Sequence, residues 1–257
     1  MPDLKFRTLC LSMLMVLSCA MTCTMACAAP LTAAMQAKLD RAVQDYERGQ
    51  LAQARRQFQS LSSQGVAAAD YNLAVMHLQG EMPKSSPTQA RRLLQRAAQG
   101  GFVTAQFMLA QTLESGQFGA RDLALALHWY LLAATHGSVD AQVAAATAFY
   151  LGRGVAKDYV QAAAWYRAAA QGGDIGAQYL LASMYEHGDG VAKDFRLARY
   201  WYEIAAKNGD DAAPIKAREI AAKMLAADAE ATEHAERTER TERTERATST
   251  GAANNRP

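Results

Sequence analysis

The feature that most constrains this chain is a self-similarity at a step of 36 residues. Trp129, Trp165 and Trp201 stand one step apart, and each is followed by tyrosine, at Tyr130, Tyr166 and Tyr202. The pairs Ala133-Ala134, Ala169-Ala170 and Ala205-Ala206 keep the same step, as do Gly101, Gly137, Gly173 and Gly209. Upstream of the tryptophans, Ala74, Ala110, Ala146 and Ala182 recur in register, followed by Gly80, Gly116, Gly152 and Gly188. A period of this length marks an array whose single units cannot bury their own apolar stripes and do so by stacking on neighbours.

Within a unit the spacing predicts two helices. In the fourth, Ala177, Leu181, Ala182 and Tyr185 recur at steps of three and four residues, which places them on one helical stripe. Gly188 ends that helix, because glycine enters the left-handed conformation of a C-cap without a side-chain clash. Val191 in the following loop is available to plug the end of the pair. Asp194 is a good N-cap for a second helix, which carries Ala198, Trp201, Tyr202, Ala205 and Ala206 inward and ends near Gly209. Half the chain is hydrophobic and aromatics are few, 8%. Abundant alanine with few aromatic residues favours close-packed helices over sheet.

The pattern Ala-x-x-x-Leu-Ala-x-x-Tyr-x-x-Gly-x-Gly-Val-x-x-Asp, followed by Ala-x-x-Trp-Tyr-x-x-Ala-Ala-x-x-Gly, resembles the Sel1-like repeat, a subclass of tetratricopeptide-type repeats. The stretches from Ala141 to Gly173 and from Ala177 to Gly209 match almost completely. The unit from Ala105 to Gly137 keeps Asp122, Ala126 and Trp129 but has Phe118-Gly119 in its loop. The unit from Ala69 to Gly101 is degenerate, with His77 in the aromatic slot, Leu93 for tryptophan, and Pro83 and Pro87 in the connection. The resemblance implies an all-α fold, an α/α solenoid in a right-handed superhelix of tandem 36-residue helix-turn-helix repeats. The expected organisation is a helix pair of tetratricopeptide type over 29–66, four repeats over 67–210 and a C-terminal capping helix over 211–226. The Glu-Arg-Thr triplets within 227–257 have no apolar face and are expected to be a disordered tail.

The amino-terminal segment reads separately. Lys5 and Arg7 precede an uncharged apolar stretch from Leu9 to Met21, and Ala26-Cys27-Ala28 provides small residues for cleavage. This is the layout of a cleavable secretory signal over 1–28, so the chain is expected to be exported, to the periplasm or envelope in a bacterium, with no transmembrane span in the mature form. Val16-Leu17-Ser18-Cys19 offers a second reading, a lipid anchor at Cys19, which Leu17 fits less well than a small residue would. All four cysteines lie in this segment. The mature chain is then expected to have no disulfide, thiol nucleophile or thiolate metal site.

No chemistry-bearing constellation emerges from the remaining residues. The five histidines, His77, His128, His136, His187 and His234, show no metal-ligand spacing. Glu186-His187-Gly188-Asp189 coincides with a helix end and the repeat loop, where a positive charge is favourable. Net charge is +2, which gives no electrostatic footprint for nucleic acid. One cysteine-rich branch of the family is linked to β-lactam binding, but its intra-repeat cysteine pairs are absent here and the role is not carried over.

No cofactor or metal is expected, and the resemblance implies a non-enzymatic scaffold or adaptor whose partners are proteins or peptides. Two other readings stand beside it: a structural lipoprotein of an export or polysaccharide-secretion assembly, and an enzyme acting on envelope polymers or β-lactams. On the tetratricopeptide pattern the first helices line a concave groove. One groove column holds Tyr71, Phe107, Val143 and Tyr179, and a second holds Val75, Gln111, Thr147 and Ser183. A third holds Leu78, Glu114, Tyr150 and Glu186. The first column has an equally good reading as core between repeats.

Overall fold

A computed structural model describes residues 31–253, with side chains to 241. The expected signal segment, the four cysteines and the last four residues lie outside the described residues. The described chain is helical throughout. An initial pair, α1 (Ala33–Glu47) and α2 (Leu51–Ser63), precedes four further pairs. These are α3 (Ala67–Leu78) with α4 (Pro87–Gln99), α5 (Val103–Ser115) with α6 (Leu123–Thr135), α7 (Val139–Leu151) with α8 (Tyr159–Gln171), and α9 (Ile175–His187) with α10 (Phe195–Lys207). α11 (Ala213–Ala253) follows, and the main packing contacts run between consecutive helices from α1 to α11. This is an all-α repeat solenoid.

The helix ends lie where the capping chemistry puts them. Asp122, Asp158 and Asp194 are N-caps whose carboxylates accept from the backbone N–H of Leu125, Gln161 and Leu197 at 2.9, 2.9 and 3.0 Å. The same aspartates tie the loop to the preceding helix, donating their own N–H to the carbonyls of Leu113, Phe149 and Tyr185. Gly116, Gly152 and Gly188 close the first helices in the left-handed conformation. The next loop glycine has a different task. A Cβ on Gly190 would lie 2.1 Å from the Tyr159 carbonyl, so this loop rests directly on the first turn of α8. Gly154 lies the same way on Leu123, at 2.5 Å, whereas repeat 2 has Phe118 at this step. A cavity of about 240 Å³ opens beside Phe118, between Arg91, Thr112 and Leu113.

Burial follows the 36-residue step. Ala69, Ala105, Ala141, Ala177 and Ala213 are all fully buried, as are Ala54, Ala90, Ala162 and Ala198. A cross-section this small lets helix backbones approach closely. Bulk is supplied by one column of the second helices, Phe58, Leu94, Tyr130, Tyr166 and Tyr202, all buried. The expected roles of Trp and Tyr in the Trp-Tyr pairs therefore divide: tyrosine is core, and tryptophan is half-buried at the seam. Trp129 packs against two successive core clusters and Trp165 against the second of these and the one that follows, so the tryptophans join one repeat's core to its neighbour's.

A polar column that the sequence reading did not single out crosses the same seams. Gln106, Gln142 and Gln178 each donate Nε2 to a carbonyl near the end of the previous repeat's second helix, at Ala98, Ala134 and Ala170, over 3.2, 3.2 and 3.1 Å. Two of the three also have a partner for Oε1. His136 Nδ1 lies 3.2 Å from that atom of Gln106, and Asn208 Nδ2 donates to that of Gln178 at 2.9 Å. At the corresponding step the chain has Gly172, and Gln142 Oε1 is left buried without a partner. In repeat 1 the column holds Asp70, which is buried and clasped by Arg96 through both Nε and Nη2.

The C-terminal region departs from expectation. The capping helix expected over 211–226 does not stop there, and the Glu-Arg-Thr segment expected to be disordered continues it to Ala253. Ala213, Ala217 and Ile220 are buried in register with the earlier first helices, but every described side chain beyond Met224 is exposed. Glu and Arg recur at i,i+4 in the triplets, a spacing that supports helix without tertiary contact.

Alanine substitutions at two left-handed glycines separate backbone strain from loop contact. Gly173, with φ +94 and no atom near its missing Cβ, carries strain alone. Gly190→Ala adds a collision with the Tyr159 carbonyl. Gly173→Ala is expected to cost about 1 kcal/mol and Gly190→Ala about 2–4 kcal/mol in urea unfolding. Equal costs would show that the loop does not bear on α8.

Candidate functional site

The three expected groove columns lie on α3, α5, α7 and α9, and the structure distinguishes them. In the first, Tyr71, Phe107, Val143 and Tyr179 are all half-buried and pack against core clusters. Their rings rest on other rings: Tyr71 on Phe102 at 5.2 Å, Phe107 on Tyr130 at 5.6 Å, and Tyr179 on Tyr202 at 5.1 Å between centroids. These aromatics form a floor continuous with the core. In the second column Gln111 is exposed, while Val75, Thr147 and Ser183 are half-buried.

The third column carries the electrostatics. Tyr130 donates its hydroxyl to Glu114 Oε2 at 2.8 Å, and two repeats on Tyr202 donates to Glu186 Oε2 at 3.0 Å. In the repeat between, Tyr150 stands where the acid would be, and Tyr166 pairs with Thr147 instead, at 3.0 Å. Burial, reinforced by the carboxylate each one faces, raises the pKa of Tyr130 and Tyr202 well above the ordinary phenol value. Burial likewise raises that of Tyr166. Tyr130 and Tyr202 therefore serve as fixed donors that hold the third-column carboxylates from beneath.

Glu186 departs from its expected place on an open groove. It is buried at 4% exposure, because α11 packs over it and Lys223 Nζ reaches Oε1 at 2.7 Å. Burial alone would raise its carboxyl pKa. Hydrogen bonds from Lys223 and Tyr202 and the charges of Lys216 and Lys223 outweigh that and hold it below the ordinary 4.5. Glu186 thus anchors the closing helix.

Glu114, its counterpart, remains at an open seam. A cavity of about 120 Å³ lies there between repeats 2 and 3, bordered by Glu114, Tyr130, Thr147 and Arg153 and walled by Leu123 and Ala144. The sequence reading placed Glu114 and Thr147 in their columns but did not bring Arg153, which lies in the following loop, to the same site. Tyr150 and Tyr159 meet edge-on at 5.0 Å in the corresponding position one repeat later. Among the described residues no cluster of His, Cys, Asp and Glu is arranged to hold a metal ion, and no helix is long and apolar enough to cross a membrane.

The Sel1 repeat model matches residues 67–102, 103–138, 139–174 and 175–210, more than half of the chain. Each window opens on the first residue of a first helix, at Ala67, Val103, Val139 and Ile175. Among solved structures, the chain is similar to a protective antigen of uropathogenic Escherichia coli with an SLR fold, at 29% identity and a TM-score of 0.66. The match covers 72% of this chain and 41% of that one, so the chain spans less than half of the antigen's length. It is also similar to a Sel1 repeat protein from Oxalobacter formigenes, at 28% identity and a TM-score of 0.61, covering 70% of this chain and 75% of the other. Comparison with curated proteins gave no match.

The anchoring of α11 predicts a pH dependence. Because the Glu186 carboxyl titrates below 4.5 when folded, its contribution is complete above pH 4.5 and is lost as pH falls through the folded value. Wild type is expected to lose melting temperature more steeply than Glu186→Gln between about pH 5 and pH 3. Parallel curves would contradict the assignment.

Proposed function

The chain belongs to the Sel1 repeat family, and from that membership we propose that it is an exported adaptor of the cell envelope. It holds a partner protein or peptide against the face formed by its first helices and performs no reaction of its own. Sel1 repeats are generally protein-interaction modules, and the array fits a binding scaffold. Export rests on the amino-terminal signal layout, from Lys5 through the apolar stretch to Ala28.

The observation that carries the reading is the tyrosine-supported face. Its side chains change from repeat to repeat, while from repeat 2 to repeat 4 a buried tyrosine stands at the same step beneath them. Val75, Gln111, Thr147 and Ser183 share one column, yet they are apolar, amide and hydroxyl in turn. The alanine column beneath them, Ala74, Ala110, Ala146 and Ala182, does not change at all and is fully buried. A constant frame that presents varied side chains at a fixed spacing suits recognition of an extended partner, because little side-chain freedom is left to lose on binding. Glu114 fits this role as well, since its carboxylate is already held by the Tyr130 hydroxyl.

The test is photo-crosslinking in intact cells from single positions. A photoreactive residue at exposed Gln111 or half-buried Ser183 is expected to give partner adducts. The same residue at Gln161 on α8 or Glu203 on α10, both exposed, is expected to give none. Adducts from the second helices at equal yield would place binding on the other face, and adducts from neither would remove the scaffold reading.

A further inference from the structure

We propose that the seam between repeats 2 and 3 is a specificity pocket for one uncharged aliphatic side chain of a bound peptide, with Glu114 and Arg153 clasping the peptide backbone at its mouth. This rests on the scaffold reading and names what one position of the partner must be. The walls of the cavity are apolar, formed by Leu123, Ala126, Leu127, Ala144 and Ala148. Its volume of about 120 Å³ is slightly below the roughly 150 Å³ of an apolar cavity that takes benzene. A valine- or leucine-sized group fits, and an indole does not.

The mouth supplies one acceptor and one donor. Arg153 Nη1 lies 3.5 Å from Glu114 Oε1, longer than the 2.7–2.9 Å of a charge-assisted hydrogen bond. The backbone N–H of Arg153 donates to the Ala148 carbonyl at 2.8 Å, while the side chain is 52% exposed and reaches Glu114 alone by an ion pair among the described residues. Glu114 is already fixed from below, since its other carboxylate oxygen accepts from Tyr130. The two charges cancel, so a charged ligand gains little net attraction. A backbone amide, which carries an N–H for Glu114 and a C=O for Arg153, meets both groups at once.

The other seams of the same chain do not repeat this combination of side chains. Where repeat 3 has Ala144, repeat 2 has Met108 and repeat 4 has Leu180. One step on, Glu114, Leu123 and Arg153 become Tyr150, Tyr159 and Asp189, and the two tyrosine rings close on each other. One step back they become Leu78, Pro87 and Gln117, and the cavity there is bordered by Arg91 without an acid. Small wall residue, acid and arginine occur together at a single seam.

These substitutions within the chain supply the variants for the test. Ala144→Leu installs the residue of position 180 and fills the cavity. Arg153→Asp installs the residue of position 189 in an exposed loop, where it leaves packing untouched. The probe is a set of N-acetylated, C-amidated heptapeptides Gly-Ser-Gly-X-Gly-Ser-Gly, titrated into the isotope-labelled full chain and followed by amide chemical shifts. With X as leucine, the amides of Leu127, Ala144 and Arg153 are expected to shift. Peptides with X as aspartate, lysine or tryptophan are expected to bind at least tenfold more weakly. Both variants are expected to weaken the leucine response at least tenfold at an unchanged melting temperature. The pocket is overturned if the leucine peptide causes no shifts there, or if the response survives in Ala144→Leu. A preference for a charged peptide, or for one ending in a free carboxylate, overturns the backbone clasp. Crosslinking from Gln111 reports separately on the scaffold. Partner adducts at full yield in Ala144→Leu would overturn the pocket and leave the scaffold standing.

Discussion

The rest of the structure depends on the seam between the second helix of one repeat and the first helix of the next. A single helix pair here has an apolar stripe on both sides and no means of closing over it. The seam closes it with three devices at one period: alanines that let backbones touch, a half-buried tryptophan shared between two cores, and a buried glutamine that donates to the neighbour's last carbonyls. The glutamine matters for geometry as much as for energy. A net contribution of about 1 kcal/mol per bond is modest, but a buried amide that finds its carbonyl in one register alone penalises every other. Such bonds fix the rotation between successive repeats, and with it the relative positions of side chains on the first-helix face.

The places where the repeat pattern breaks are where the array differs from a uniform stack. Phe118 in the place of a loop glycine stands beside a cavity next to α4. Gly172 in the place of His136 and Asn208 leaves Gln142 Oε1 without a partner. Ala144, smaller than Met108 or Leu180, leaves the cavity beside Glu114. At the C-terminal end Lys223 takes over the pairing with Glu186, so the array is closed by a charge where an internal seam would continue.

Much of this was legible in the residues and some was not, for identifiable reasons. Glycine, tryptophan and paired alanines are distinctive, so their columns announce the helix pair, its caps and its step. Gln106, Gln142 and Gln178 keep the same step, but glutamine is ordinarily a surface residue, and nothing in its type signals burial. Burial of Glu186 depends on α11 folding back over α9 and α10, a contact between residues 37 apart that no local pattern encodes. The mouth at Glu114 was hidden because Arg153 belongs to the next repeat's loop. The triplet tail has no apolar face, which does not decide helix against coil. Its i,i+4 pairs favour the helix, which runs on to Ala253.

If the seams carry the stability, each added repeat contributes its own cost and one favourable interface, and stability must grow stepwise with length. The direct measurement is urea unfolding of a nested series ending after residues 138, 174, 210 and 241. The account predicts that the unfolding free energy rises by a similar increment with each of the first two extensions. It predicts a final gain on adding 211–241, where Ala213, Ala217, Ile220 and Lys223 complete the last seam. Unfolding free energy that is independent of length would contradict it, and would mean that each pair is stable alone and that the seams only align what has already folded.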